Sequence, residues 1–452
     1  MYLYNVYKTK MFSKLFFKLQ LFRYNLQRKN SEFLCHAPYS SLYFDYKGNV
    51  YACFANKHMV LGRYDKEEIK DIWNGRNINI LRNSLENRTF DNGCHLCRNK
   101  IYSGNFSHCY AKRYDYLTPV KAEFPGSVEV QLSNHCNLSC TMCVVRKDEK
   151  SLTDIGKFKK NFETLIPHLK NASFSGGEPF LIDDYFDIWE SFCKLNPECR
   201  ISVNTNATIL DDKVRSILSR LHFNLSVSVD GFSKECFENI RVNASRDTVY
   251  KNLEYFMEYT TTKGTFFNVK TCILNQNINE FPEIFDYFTK NNIPLLLNEV
   301  VFPLRSALWN NSSVKLESII TMLEKRSPAF DLSDSGNHNR QLWIEMIRTL
   351  KKYKRDSEKF EKEIWAVKPT EKELTGMVTR RLLPFFINSD ELSVFMKIIQ
   401  DSSGNKQNRM QLLYFFTLVP FERIIGEMEI RNENEISSIL KTIRSDFNWQ
   451  LP

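Results

Sequence analysis

The sequence predicts an α/β protein built on a parallel sheet, with a small cysteine-rich α+β module before it and a helical region after it. Three observations carry that reading. Strand-like runs alternate with helix-length segments from about residue 124 to 310. Eight of the twelve cysteines lie between Cys35 and Cys143, before that region or at its start. Beyond 310 the chain is charge-rich with helical periodicity, as in RQLWIEMIRTLKKYKRDSEKFEKEIW. Strands that alternate with helices make parallel sheets, either open or closed into a barrel.

At 452 residues the chain is too long for one ordinary domain. Four regions can be drawn: a basic segment at 1–30, a turn-rich cysteine module at 31–110, the alternating region at 124–310 and the helical region at 311–452. In the module, SLYFDY and NVYAC read as short strands around Gly48, and EEIKDIWNGRNINILRNSL reads as helix. The alternating region offers six strands: SVEVQL (127–132), ASFSG (172–176), RISVNT (200–205), NLSVSVD (224–230), FNVKTCIL (267–274) and LLLNEVV (295–301). KFKKNFETLIPHLK and DDKVRSILSRL are typical of the helices between them. In such sheets ligands gather beyond the C-terminal strand ends. A three-cysteine loop follows the first strand, Ser-Gly-Gly-Glu-Pro (175–179) the second, Asn-Thr-Asn (204–206) the third and Ser-Val-Asp-Gly (228–231) the fourth. Four special clusters at successive strand ends converge on one site.

The net charge of +9 is local. Lys8, Lys10, Lys14, Lys18, Arg23, Arg28 and Lys29 supply seven of it within thirty residues that hold no acid, leaving +2 for the other 422. A broad phosphate-binding surface, and with it a nucleic-acid partner, is not indicated. Within the segment Phe12, Leu15, Phe16, Leu19, Phe22 and Leu26 recur at helical spacing among the cations. Two readings stand: a helix in weak contact with an anionic membrane surface, or a terminal helix docked by its stripe on its own protein. Lys14 and Lys18 interrupt the apolar stretch, which fits a signal peptide poorly. No uninterrupted apolar run of spanning length occurs. Closely paired cysteines suit a metal or cluster better than disulfides, and a reducing cytoplasm suits that chemistry.

The stretch CNLSCTMC places Cys136, Cys140 and Cys143 in one loop. Thiolates at this density hold zinc or iron–sulfur clusters. With His135 as a fourth ligand the loop would make a closed zinc site, although adjacent residues reach one ion awkwardly. With three cysteines alone it would leave one iron of a [4Fe–4S] cluster open to a ligand. Cys136-x3-Cys140-x2-Cys143 after a first strand, followed by Gly-Gly-Glu on the second, resembles the radical S-adenosylmethionine (SAM) superfamily over about 124–310. That resemblance implies a partial (βα)6 TIM-like barrel. It implies that Cys136, Cys140 and Cys143 ligate the cluster while the amino and carboxylate groups of SAM chelate the fourth iron. Gly176, Gly177 and Glu178 match the motif that binds the SAM amino group. Ser228 and Arg241 match positions that contact SAM, the arginine at its carboxylate, and Asn204 and Asn206 sit where the ribose is held. Met142 stands where many members carry an aromatic residue, and no contact residue is placed on the fifth strand.

Upstream, Cys35 and Cys53 flank Gly48 and are followed by Cys94-x2-Cys97. With the intervening LGRYDKEEIKDIWN, this resembles the SPASM/twitch auxiliary-cluster domain, here ahead of the core rather than after it. The resemblance implies a second, fully ligated [4Fe–4S] cluster, and structural zinc is the alternative occupant. Cys109 is a nearby spare, and Cys193, Cys199, Cys236 and Cys272 read as ordinary packing residues.

Together these features imply reductive cleavage of SAM to a 5′-deoxyadenosyl radical that abstracts hydrogen from a substrate, either a peptide or protein or a small metabolite. An electron donor such as flavodoxin or ferredoxin would be a partner. The competing readings are a non-catalytic iron–sulfur protein for electron transfer or redox sensing, and a zinc-stabilised binding module. The helices beyond 310 are expected to cover the open side of the barrel.

Overall fold

A computed structural model describes residues 16–28, 33–90, 92–102, 104, 106, 109–117, 122–143, 155–386, 389–421, 424 and 433–446. Among the described residues nine strands form one sheet: β1 (Ser41–Phe44), β2 (Asn49–Tyr51), β3 (Gly62–Arg63), β4 (Ser127–Val130), β5 (Asn171–Phe174), β6 (Arg200–Thr205), β7 (His222–Ser228), β8 (Phe267–Ile273) and β9 (Leu295–Glu299). Their order is β3-β2-β1-β4-β5-β6-β7-β8-β9. From β4 to β9 neighbours are parallel and sequential, the open-edged arrangement of a partial barrel. Each of the six expected core strands is present, ending one to two residues before its sequence run where the chain turns into a loop, except β6, which matches throughout.

The cysteine module is not a separate sheet. Its antiparallel hairpin joins the core sheet because β1 pairs in parallel with β4, Leu42 opposite Val128. Trp73 Nε1 donates to Ala122 O at 2.9 Å and ties the module's helix Ile69–Asn74 to the chain entering β4.

Side chains alternate across a strand, so register sorts the sheet into two faces. One row runs Phe44, Val130, Phe174, Val203 and Leu225, all buried. This face packs on helices Ile155–Glu163, Asp183–Leu195 and Arg246–Lys263, with Phe44 against Phe158 and Phe174 against Trp189. The other face carries Glu129, Ser173, Ser202 and Asn224 in one row, Asn204, Ser226 and Asn268 in the next, then Ser228 and Lys270. Parallel sheets covered by helices on both faces are apolar on both. A polar second face instead suits the wall of a ligand cavity.

Helix starts follow local chemistry. Asp211 accepts from Val214 N, Ser233 from Cys236 N and Ser245 from Thr248 N, each satisfying a donor the first turn leaves over. The helical region packs on the last strand through helix Asp334–Phe360. There the fully buried Asn339 takes Leu295 N at 2.9 Å and donates to Ile293 O at 3.0 Å.

Candidate functional site

The cysteine loop leaves β4 and is held by the loops after β5, β6 and β7. Gly177 N donates to Ser133 O at 3.2 Å and Glu178 N to His135 O at 2.8 Å. A Cβ on Gly177 would stand 2.6 Å from Asn134 O and nearer still to His135 O. Gly176 has φ +133°, a conformation other residues rarely adopt. The glycine pair therefore lets two backbones touch, and the second of those backbones is the cysteine loop itself.

Glu178 is fully buried. Its carboxylate accepts from Phe180 N at 3.1 Å, Thr205 Oγ1 at 2.7 Å and Asn206 N at 2.6 Å, binding the β5 loop to the β6 loop. Burial lifts its pKa to about 7, against the hydrogen bonds that pull it down. Asn206 Nδ2 donates to Cys136 Sγ at 3.8 Å and to Asn137 Oδ1 at 3.0 Å. Asn204 is exposed on β6, and Ser228 is buried at the end of β7 beside Lys270 of β8.

On the far side, Ser139 N donates to Val242 O at 3.0 Å and Thr141 N to Ile240 O at 2.9 Å. Between those two anchors Arg241 is buried, with Nη2 2.6 Å from Asp230 Oδ2 and Nη1 4.0 Å from Cys140 Sγ. Burial raises the Cys140 thiol pKa while Arg241 draws it back. Arg241 Nε and Thr141 Oγ1 are buried without a hydrogen-bond partner among the described residues. Three thiols, a buried guanidinium with an unused donor and an orphaned hydroxyl fit an anionic cluster and the carboxylate of a ligand. Met142 packs near Ile240, Leu274 and Val300 with Cys236 and Cys272, so it fills an apolar niche beneath the loop.

The four upstream cysteines also meet. Cys35, Cys53, Cys94 and Cys97 line one cavity with Phe90 and Tyr114. Cys35 precedes a short helix whose Ala37 N points to its sulfur at 3.4 Å. Cys53 follows β2 in the connection to β3, and Cys97 lies in the first turn of helix His95–Tyr102. Asn56 Nδ2 reaches Cys94 Sγ at 3.5 Å. Among the described residues, no three His, Cys, Asp or Glu close on a single ion position. A cavity lined by four thiols together with Phe90, Leu96 and Tyr114 suits a thiolate-held cluster.

The contacts of several residues here escaped the sequence reading. Tyr24 is fully buried, with burial and Cys109 raising its phenol pKa. Arg28 is ion-paired with Asp115 and donates to Phe33 O at 2.6 Å, and its charge acts on Cys35. Cys109 is buried 3.9 Å from Cys97 O but does not line the cavity. Tyr114 hydrogen-bonds Glu129 of β4, and Arg113 lies 4.5 Å over the Phe54 ring, so segment Tyr110–Tyr114 links the four-cysteine cavity to the polar face of the sheet. Lys270 on that face has its pKa lowered by burial and then by Arg113. No spacing rule pairs such positions; they meet only in three dimensions.

A sequential parallel half-barrel with a thiol-bearing loop at its first strand end defines a class of iron–sulfur proteins. Residues 130–288 match the radical SAM superfamily domain. Residues 35–99 match the iron–sulfur cluster-binding SPASM domain, here N-terminal to the core. With those domains come a SAM-binding [4Fe–4S] cluster, SAM and an auxiliary [4Fe–4S] cluster as cofactors. The chain is 24% identical over 140 residues to a GTP 3′,8-cyclase of Clostridium botulinum, covering 28% of this chain and 42% of the cyclase. It is 25% identical over 166 residues to an uncharacterised protein of Methanocaldococcus jannaschii, covering 35% and 56%. It thus spans about two fifths to just over half of those relatives. Among solved structures, Streptococcus suis SuiB bound to its precursor peptide SuiA is similar with a TM-score of 0.35 and 16% identity, over 50% of this chain and 51% of SuiB.

Proposed function

We propose that the protein is an active radical SAM enzyme whose substrate lies against the polar face of the half-barrel. The observation that supports this most directly is the fastening of the cysteine loop to the loops after β5, β6 and β7 at once. A pure electron carrier needs no such enclosure of an open-sided three-thiol loop.

In this reading Cys136, Cys140 and Cys143 hold the SAM-binding cluster and Cys35, Cys53, Cys94 and Cys97 hold the auxiliary one. Cluster and SAM together would supply the 5′-deoxyadenosyl radical that takes hydrogen from substrate. The rest is done by side chains. Arg241, oriented by Asp230, offers a charged donor toward Cys140 and the SAM carboxylate. Gly176 and Gly177 set the distance between the cysteine loop and the β5 end, and Glu178 locks that end to Asn206. Asn206 steadies Cys136, while Asn204 and Ser228 face the cavity where ribose and substrate would lie. Glu129 and Lys270 give that cavity one carboxylate and one amine, a lining for a polar substrate, whether a peptide or a small metabolite. The basic segment, cysteine module, barrel and helical region remain the proposed division at 30, 110, 124 and 310. An electron donor of flavodoxin or ferredoxin type would reduce it in the cytoplasm. Among the described residues no helix is long and apolar enough to cross a membrane.

The test is anaerobic reconstitution with iron and sulfide, followed by reduction with SAM. About eight irons per chain and release of 5′-deoxyadenosine are expected for two clusters. Bound zinc and no SAM cleavage would overturn the proposal.

A further inference from the structure

The helix at 16–27 has two apolar faces, and the structure uses the one the sequence does not advertise. Gln20, Tyr24 and Arg28 are buried, and Phe17 and Leu21 are half-buried, on one side. Phe17 stacks on Tyr102 and Tyr24 packs near Phe106, so this side docks on the cysteine module. At 3.6 residues per turn, Phe16, Leu19, Phe22 and Leu26 fall on the opposite side. They are 43%, 54%, 60% and 66% exposed. Phe16 meets Tyr102 edge-on at 5.3 Å. The helix is docked on its own protein, but the described members of the expected stripe face outward instead of carrying that docking; Phe12 and Leu15, which continue the stripe in sequence, lie outside the described residues.

We infer that this outward face is a docking surface for an anionic lipid bilayer. Lys18 and Arg23 are exposed on either side of the apolar row, and the first thirty residues hold seven cations and no acid. Leu and Phe on one face with Lys and Arg beside them are what lets a helix lie in the headgroup region, the apolar row inserted and the cations on acidic headgroups. A second copy of the chain is a poorer occupant, because the same face would set basic against basic. Among the described residues no helix is long and apolar enough to cross a membrane, and the contact inferred is with the bilayer surface.

The experiment is cosedimentation of the full-length, cluster-loaded protein with vesicles of phosphatidylcholine alone or with about 30% phosphatidylglycerol. Binding to the anionic vesicles is expected to exceed that to neutral ones by about tenfold and to fall as salt is raised. The triple variant Leu19→Glu, Phe22→Glu, Leu26→Glu should lose that binding and keep its iron content and melting temperature, since those side chains face solvent. Equal binding to both vesicles, or a triple variant that binds like the parent, overturns the inference. So does a concentration-dependent dimer in sedimentation velocity that the triple variant abolishes, which would assign the face to a second copy.

Discussion

Gly177→Ala is a one-carbon perturbation aimed at the junction between the cysteine loop and the sheet. The added Cβ would lie 2.6 Å from Asn134 O and closer to His135 O, where ordinary contact begins near 3.4 Å. Both obstacles are backbone, so no side chain can swing aside; the loop must retreat by on the order of 1 Å. That retreat breaks Glu178 N to His135 O, 2.8 Å long, and strains Gly177 N to Ser133 O, 3.2 Å long. Overpacking costs about 1–3 kcal/mol and each lost hydrogen bond about 1 kcal/mol. Because the loop carries Cys136, Cys140 and Cys143, the expected result is loss of about four of about eight irons and of SAM-induced change in the electron paramagnetic resonance spectrum. Gly126→Ala is the control, since its Cβ would meet nothing within 4 Å. A Gly177→Ala protein with parental iron content and an unaltered response to SAM would refute the assigned role of the glycine.

Glu178 sets a pH dependence. Its folded pKa of about 7 lies above the ordinary carboxyl value of 4.5, so the folded state holds the proton more tightly. Stability should then fall as pH rises from about 5 to 7.5, by about 2–3 kcal/mol, and Glu178→Gln should flatten that slope in denaturant titrations; parallel curves would count against it. Asp230→Asn leaves Arg241 charged and buried, which should cost about 3–5 kcal/mol and lower the melting temperature, whereas Asp183→Asn in an exposed pair should leave it unchanged. Cys140→Ala should abolish 5′-deoxyadenosine release, and Cys94→Ala should spare that release more than it spares product formation; equal losses would mean that the two cysteine sets do not act separately. Asn339→Ala orphans Leu295 N and Ile293 O at the β9 edge and should cost about 1–3 kcal/mol by chemical denaturation.

Much of the site was legible because it is written at strand ends and in short spacings. CNLSCTMC and Gly176-Gly177-Glu178 each belong to one loop after one strand, Asn204 and Asn206 stand at the end of β6 and just past it, and strand order brings them together. The partners were not legible. Asp230 meets Arg241 across helix Lys234–Ile240, Asn206 reaches back to Cys136, and Glu178 turns its carboxylate into the protein toward Asn206 rather than outward. Cys272 read as ordinary packing, yet it lies close enough to Arg241 and Cys140 to feel both charges, with its backbone N 2.6 Å from Asp230 Oδ1.

By itself the sequence determined the α/β class, the six core strands and the two cysteine sets, because alternation and local spacing are properties of contiguous residues. Only the tertiary structure decided that the module's hairpin extends the core sheet, since a β1–β4 pairing across more than eighty residues leaves no local trace. It also decided which side of the N-terminal helix is buried. A helix with two apolar stripes has no preferred face until something is there to pack against, and here Tyr102, Phe106 and the module chose the stripe bearing Tyr24.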